Sequence, residues 1–181
     1  MGKVKVATTA MTSCFGCHMS ILDIDERLLD LIELVEFDKS PINDIKEFTG
    51  PVDVGIIEGG VSNDENLEVA RSFRKHCKIL ISLGECAIQG NIPAMRNAVP
   101  LKECLEEAYL KGPTVYNPKG RIPDDPDIPM LMNKVYPVHE VVKVDYFMPG
   151  CPPPADQIWA VLTALLTGKP IELPYEYIRK D

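Results

Sequence analysis

The chain has 181 residues, of which 45% are hydrophobic and 25% are charged, and these values fit one globular domain with a full core. A formal net charge of -8, without clustered lysines and arginines, argues against binding of nucleic acid or of anionic lipid. Since neither an export signal nor a membrane-spanning apolar run is visible, we expect a cytoplasmic protein whose six cysteines start out reduced.

Short apolar runs alternate with helical periodicities along the chain. The predicted strands are residues 3–8, 34–37, 52–57, 79–83 and 141–147. The predicted helices lie after the first strand, after a capping-box pattern of Ser62 and Glu65, within residues 101–110, and between Pro154 and Gly168. This alternation predicts an α/β fold with a doubly wound parallel sheet in the flavodoxin-like strand order 2-1-3-4-5.

The segment 113–137 differs from its surroundings because it carries six prolines and no clear hydrophobic period. Such a composition predicts a long loop that is ordered by its own contacts or covered by a partner. We treat residues 1–181 as a single domain that contains this loop.

Four of the six cysteines follow predicted strands. Cys14 and Cys17 come after the first strand, Cys86 after the fourth and Cys151 after the last. The carboxyl ends of parallel strands meet at one edge of the sheet, which is where ligands bind in such folds. We therefore expect these four thiols to converge, although they are spread over most of the sequence.

Three kinds of site compete for these cysteines. A redox dithiol would use Cys14 and Cys17 but leaves the other two unexplained. A structural zinc site usually draws on two close pairs of ligands, whereas here Cys86 and Cys151 are far apart in sequence. Four thiolates from separate loops suit one cubane iron–sulfur cluster.

Three segments of the chain resemble the small subunit of the soluble, bidirectional NAD-reducing nickel–iron hydrogenases. They are SCFGCHMSILDIDERLLDL, LGECAIQGNIPAMRN and PGCPPPADQIWAVLTALLTGK. The resemblance covers essentially the whole chain and implies one [4Fe-4S] cluster bound by Cys14, Cys17, Cys86 and Cys151. The related complex I subunit has two adjacent cysteines where this chain separates Cys14 from Cys17, so the spacing resembles hydrogenase.

What the resemblance implies is electron relay, with no catalytic residue on this chain. A large subunit would split hydrogen at a nickel–iron centre, and iron–sulfur and flavin subunits, the diaphorase module, would carry FMN and reduce NAD. Because the sequence ends at Asp181, without the cysteine-rich C-terminal domain of membrane-bound relatives, we expect the next electron carriers on another polypeptide. The alternatives are a free-standing iron–sulfur or zinc binding module and a complex I-type cluster subunit.

Glu58 ends the third predicted strand, so its carboxylate is expected at the same edge as Cys14 and Cys17. One interpretation is that it caps the helix that begins near Ser62. The other is that it binds an iron of the oxidised cluster and withdraws on reduction, since carboxylate oxygen favours ferric iron.

The remaining candidates have less specific patterns. Cys77 and Cys104 are expected to be packed, inert thiols, and His18 either contacts the cluster or is an ordinary surface or helix-end histidine. The stretch TTAMTS has the hydroxyls of a phosphate loop but runs into cluster ligands, so an FMN on this chain is the less favoured option.

Overall fold

The computed structural model describes residues 2–170 and 172–175. The last residue of the sequence, Asp181, therefore lies outside the described residues. The strands of this part are β1 (Val4–Ala10), β2 (Val35–Phe37), β3 (Val52–Glu58), β4 (Val61–Asn63), β5 (Cys77–Leu83), β6 (Leu131–Tyr136) and β7 (Tyr146–Met148). Its α-helices are α1 (Gly16–Leu22), α2 (Arg27–Leu34), α3 (Asp64–His76), α4 (Glu85–Gln89), α5 (Asn91–Ala94), α6 (Leu101–Glu106) and α7 (Ala155–Thr167).

The main sheet is parallel, with the spatial order β2-β1-β3-β5-β7. Since β5 and β7 are its fourth and fifth strands, the predicted flavodoxin-like order is confirmed. Helices α1, α2 and α7 cover one face of the sheet and α3 covers the other. None of the helices in the described ranges is long and apolar enough to cross a membrane.

Burial on both faces explains why the central strands are continuous apolar runs. In β3, Val54 and Ile56 pack on the α1–α2–α7 side, while Ile57 packs on the α3 side. Phe73 of α3 is fully buried there. The two apolar layers hold the strand ends, and the loops that follow them, in fixed positions.

Two predicted segments differ from the structure. Residues 131–136, expected to belong to a long loop, form β6, because they find an antiparallel partner in the short strand β4. The last strand of the sheet is only Tyr146–Met148, since Val141, Val142 and Val144 pack against the α3-side core instead of joining the ladder.

Helix boundaries also differ in two places. The predicted capping box at Ser62 is wrong, because Ser62 lies in β4 and the N-cap of α3 is Asn63, whose side chain accepts the amide hydrogen of Asn66 at 2.7 Å. The helical stretch after the first cysteines is divided into α1 and α2, with Asp25 between them in a left-handed conformation (φ 63°).

Asp145 ties α3 to the sheet and provides a test of the fold. Its Oδ2 accepts hydrogen bonds from Arg74 at 2.6 Å and from the Leu80 amide at 2.8 Å. Burial raises the pKa of this carboxyl, but the hydrogen bonds from Arg74 and Leu80 outweigh burial and hold the pKa below its usual value. The stabilisation is therefore present above the unfolded pKa of about 4 and is lost as the pH falls through the folded value.

We expect Asp145→Asn to lower the local opening free energy of β5 by about 2 kcal/mol, the contribution of a hydrogen-bonded charge. Hydrogen exchange of the native protein, read by mass spectrometry over residues 77–83, measures this change. The acceleration should be equal at pH 5.5 and pH 7, since both lie above the pKa of aspartate. Unchanged exchange at both values would contradict the role given to Asp145.

Candidate metal centre

The structure brings the four predicted cysteines to the carboxyl edge of the main sheet. Cys14 lies in the loop after β1, Cys17 in the first turn of α1, Cys86 in α4 directly after β5, and Cys151 three residues after β7. All four are free thiols. Cys17 is buried and Cys86 half-buried, whereas Cys14 and Cys151 are exposed, so the group lies at the surface of the domain.

These thiols are close enough to influence one another's ionisation. Burial is the main reason that the pKa of Cys17 is raised, and Glu58 and then Cys86, Cys14 and Cys151 raise it further. The pKa of Cys86 is likewise raised, first by burial and then by Cys151 and Cys14. Four such thiolates would repel one another unless cations lie between them, and thiolate-bound iron supplies that positive charge.

Two glycines keep the space beside the thiols free. Gly84, between β5 and α4, has φ +81°, and a Cβ there would lie only 2.3 Å from Sγ of Cys17. A Cβ at Gly16 would lie 3.1 Å from Sγ of Cys14. Since glycine alone combines the positive φ with the missing side chain, Gly84 fits a site in which the backbone passes close to Cys17.

The loops that carry Cys86 and Cys151 are fixed to each other. The amide of Glu85 donates to the carbonyl of Gly150 at 3.0 Å, and the Glu85 carboxylate accepts the amide hydrogen of Gly150 at 3.1 Å. The side-chain amide of Asn91 donates to Sγ of Cys151 at 3.4 Å. The distance between these two thiol-bearing loops is therefore set by hydrogen bonds within the chain.

A single metal ion and an iron–sulfur cluster require different arrangements of their ligands. Within residues 2–170 and 172–175, no three His, Cys, Asp or Glu side chains are gathered as ligands of one ion. A structural zinc ion holds its thiolates about 2.3 Å from one centre, whereas a cubane spreads them over separate iron atoms.

Glu58 is almost completely buried beside these thiols. Its carboxylate accepts hydrogen bonds from backbone amides at the start of α1, those of Cys17 at 3.4 Å and of His18 at 3.0 Å. Burial raises the pKa of Glu58, but the hydrogen bonds and charge of His18 outweigh burial and lower it. The expected position near Cys17 is correct, whereas the interpretation that Glu58 caps the helix near Ser62 is wrong.

His18 is fully buried, so it is not a surface histidine, but it does lie in the first turn of α1, as the helix-end alternative predicted. Its Nδ1 lies 2.5 Å from Oε2 of Glu58 and its Nε2 lies 3.1 Å from the hydroxyl of Thr8. The ring of Phe15 stacks on the imidazole at a centroid distance of 4.7 Å. The one sequence signal for this network was a threonine inside the apolar run of β1, which needs a polar partner when buried.

The other two cysteines stay outside this group. Cys77 begins β5 at the opposite edge of the sheet and fills the space left by Gly55, where a Cβ would lie 2.5 Å from the sulfur. Burial raises the pKa of Cys77 to about 12, so it remains a protonated packing group. Cys104 lies in α6 and is half-buried.

The loop after β1 uses its amides within the fold. The amide of Met11 donates to the carbonyl of Glu58 at 2.8 Å, and that of Thr12 donates to Gly60 at 3.1 Å. A phosphate loop requires free amides pointing at the ligand. The hydroxyls of TTAMTS are thus not accompanied by an open amide cradle at these two positions.

Several known proteins are similar to this chain in sequence. A family model described as NADH ubiquinone oxidoreductase, 20 Kd subunit, matches residues 14–165. The chain is 51% identical to the NAD-reducing hydrogenase HoxS subunit delta of Cupriavidus necator, over 99% of this chain and 87% of that protein. It is 45% identical to a polypeptide of the F420-non-reducing hydrogenase of Methanothermobacter marburgensis, over 95% of this chain but only 56% of that protein's length.

Chains of solved hydrogenase structures are also similar to this chain. One chain of an NAD+-reducing [NiFe]-hydrogenase in the H2-reduced state matches with a TM-score of 0.95 and 46% identity, over 99% of this chain and 100% of that chain. A chain of the Ni-Fe-Se hydrogenase from Desulfomicrobium baculatum matches with a TM-score of 0.58 and 15% identity, over 97% of this chain and 69% of that chain. At that identity, the second match shows the fold alone.

Proposed function

This chain belongs to the 20 Kd subunit family and, within it, to the small subunits of NAD-reducing nickel–iron hydrogenases, and from that membership we propose that it relays electrons through one [4Fe-4S] cluster. The ligands would be Cys14, Cys17, Cys86 and Cys151. The observation that carries the proposal is the convergence of these four free thiols at one sheet edge, close enough to raise the pKa of Cys17.

The residues present fit such a cluster. The cluster supplies transfer of single electrons, which the side chains of the protein do not provide. The chain itself contributes four thiolates, space beside Gly84 and a buried wall at Cys17. In the complete reaction, H2 yields two electrons and two protons, and NAD+ takes up two electrons and one proton to form NADH.

We propose that the exposed side of this edge is covered by a large subunit that carries the nickel–iron centre. Asn91 contacts Cys151, and the next residue, Ile92, is an exposed apolar side chain. Exposed apolar surface of this kind marks interaction sites when it forms a patch. Iron–sulfur and flavin subunits of a diaphorase module, also in the cytoplasm, would accept the electrons, and the segment 113–137 would contact a partner.

A matching experiment is purification of the native complex through a tag on this chain, with iron, nickel and FMN counted. We expect a nickel protein and a flavin protein to co-purify and hydrogen to reduce NAD+ in the purified complex. A preparation without nickel that still contains four irons per chain would favour the free-standing module instead.

Expressed without partners, the chain is expected to lose its iron in air or to aggregate. Cys14 and Cys151 are exposed, and so is the apolar surface near Ile92, so oxygen and other chains have access to both. Iron content and size-exclusion profiles before and after exposure to air measure the effect. A monodisperse chain with an air-stable cluster would contradict the need for a covering partner.

We also propose that Glu58 binds an iron when the cluster is oxidised and returns to the α1 amides on reduction. Carboxylate oxygen is a hard ligand that favours ferric iron, and a reduced, more negative cluster repels it. In the structure, the carboxylate is bound to the amides of Cys17 and His18. We expect Glu58→Gln to alter the Mössbauer spectrum of the air-oxidised complex and to leave the hydrogen-reduced spectrum unchanged.

Crystals of the two redox states provide the second readout for Glu58. The carboxylate should contact iron in the air-oxidised complex alone. If it points away from the cluster in both states, or if Glu58→Gln has the wild-type oxidised spectrum, this role is ruled out.

A further inference from the structure

Four buried polar side chains form a continuous hydrogen-bonded network, which runs from the loop after β2 to the end of β3. Ser40, Thr8, His18 and Glu58 are each at most 2% exposed. The hydroxyl oxygens of Ser40 and Thr8 lie 2.7 Å apart, the Thr8 hydroxyl lies 3.1 Å from Nε2 of His18, and Nδ1 of His18 lies 2.5 Å from Glu58. This network ends at the carboxylate of Glu58, beside Cys17.

Thr8 is a member of this network whose backbone the main sheet holds in place. It lies within β1, opposite Ile56 of β3, and its amide donates to the carbonyl of Lys39 at 2.9 Å. The sheet therefore fixes the position of its hydroxyl independently of the cysteine loops. A valine would fill the same space without a buried polar group, so the hydroxyl is explained by what it holds.

Both ring nitrogens of His18 are occupied, and this fixes the orientation of the ring. Thr8 holds Nε2, and Nδ1 in turn holds the Glu58 carboxylate, which also rests on the amides of Cys17 and His18. Removing the Thr8 hydroxyl would leave Nε2 buried without its partner, an unfavourable state that turning the ring can relieve. A turned ring no longer holds the carboxylate.

We propose that Thr8 is a positioning residue that, through His18, holds Glu58 on the α1 amides and thereby sets the reduction potential of the cluster. This inference rests on the function proposed above. A carboxylate released from the amides comes closer to iron, and its negative charge favours the oxidised cluster. Removing the hydrogen bond between Thr8 and His18 should therefore make the midpoint potential of this cluster more negative.

The test is a redox titration of the intact complex, followed by the electron paramagnetic resonance signal that depends on Cys86. Thr8→Val should shift the midpoint potential to a more negative value, and Thr8→Ser, which restores the hydroxyl, should return it to wild type. Thr9→Val is the matched control, because successive residues of a strand point to opposite faces. An unshifted Thr8→Val, or a Thr8→Ser shifted as far, overturns the inference.

Ser40→Ala covers the case in which Thr8→Val does not assemble. It removes the hydroxyl at the end of the network farthest from Glu58, and a smaller shift in the same direction is expected. No shift overturns the positioning role. A wild-type complex that lacks a Cys86-dependent [4Fe-4S] signal overturns the proposed function and this inference together, whereas an intact signal at unchanged potential in either variant overturns the positioning role alone.

Discussion

Replacing Cys86 by serine is expected to abolish the cubane signal of this chain and hydrogen-driven reduction of NAD+. Cys86 lies in α4, where the hydrogen bonds between Glu85 and Gly150 hold it in place beside the loop of Cys151. A serine hydroxyl is a far weaker iron ligand than a thiolate at neutral pH. The loss of activity should exceed the roughly 100-fold that removal of an outer partner of a metal site costs.

The chain supplies its own controls for this substitution. Cys77→Ala and Cys104→Ala remove thiols that lie away from the sheet edge of Cys86, so both variants should keep the wild-type cluster spectrum. Electron paramagnetic resonance and Mössbauer spectra of the anaerobic complex measure all three. An unchanged spectrum in Cys86→Ser would contradict the ligand assignment, and so would loss of the signal in Cys77→Ala without loss of folded protein.

Gly84→Ala is expected to have nearly as large an effect, although the residue binds nothing. Its φ of +81° strains any other residue by about 1–3 kcal/mol, and the added Cβ would lie 2.3 Å from Sγ of Cys17. Either Cys17 or the turn after β5 must move. We expect the complex to lose most of the iron of this cluster, measured as iron per complex and as cluster signal.

Gly168→Ala separates backbone strain from the contact with Cys17. Gly168 also has a positive φ, +66°, but a Cβ there would meet nothing within 4 Å. This variant should cost roughly 1–2 kcal/mol of stability, because an L-residue disfavours the left-handed conformation, and it should keep its iron. If Gly84→Ala retains full iron with a wild-type spectrum, the space beside Cys17 is not needed for the cluster.

The parts of the fold that burial dictates could be predicted from the sequence. The strands β1, β3 and β5 are apolar runs because helices cover both faces, and their order places the four cysteines at one edge. The strand β6 and the exact bounds of β7 could not be predicted, because pairing across distant segments decides them. The local sequence pattern also predicted the wrong N-cap of α3, which is Asn63 and not Ser62.

The polar network beside the site was beyond sequence reasoning for a related reason. Glu58 and His18 are separated by 40 positions, and only the folded sheet brings the carboxylate onto the imidazole and the α1 amides. From sequence alone, Glu58 fitted a helix cap as well as a role at the cluster, and His18 fitted a surface histidine as well as a cluster contact. Buried polar residues in an apolar strand, such as Thr8, are the signal that such a network exists.

Fold likeness alone would not have led to this function. The Ni-Fe-Se hydrogenase chain shares the architecture at 15% identity, and related folds serve many purposes. Electron relay is proposed instead from the family membership together with particular residues: four thiols at one edge, two glycines that leave room for them, and a carboxylate held beside Cys17.

The most direct test of cluster binding by these four cysteines is anomalous diffraction at the iron edge from crystals of the anaerobic complex. We predict an iron peak at the carboxyl edge of the main sheet, bonded to the sulfur atoms of Cys14, Cys17, Cys86 and Cys151. A peak at the zinc edge instead, no metal at that position, or an iron centre that leaves one of the four sulfurs unbound would contradict it.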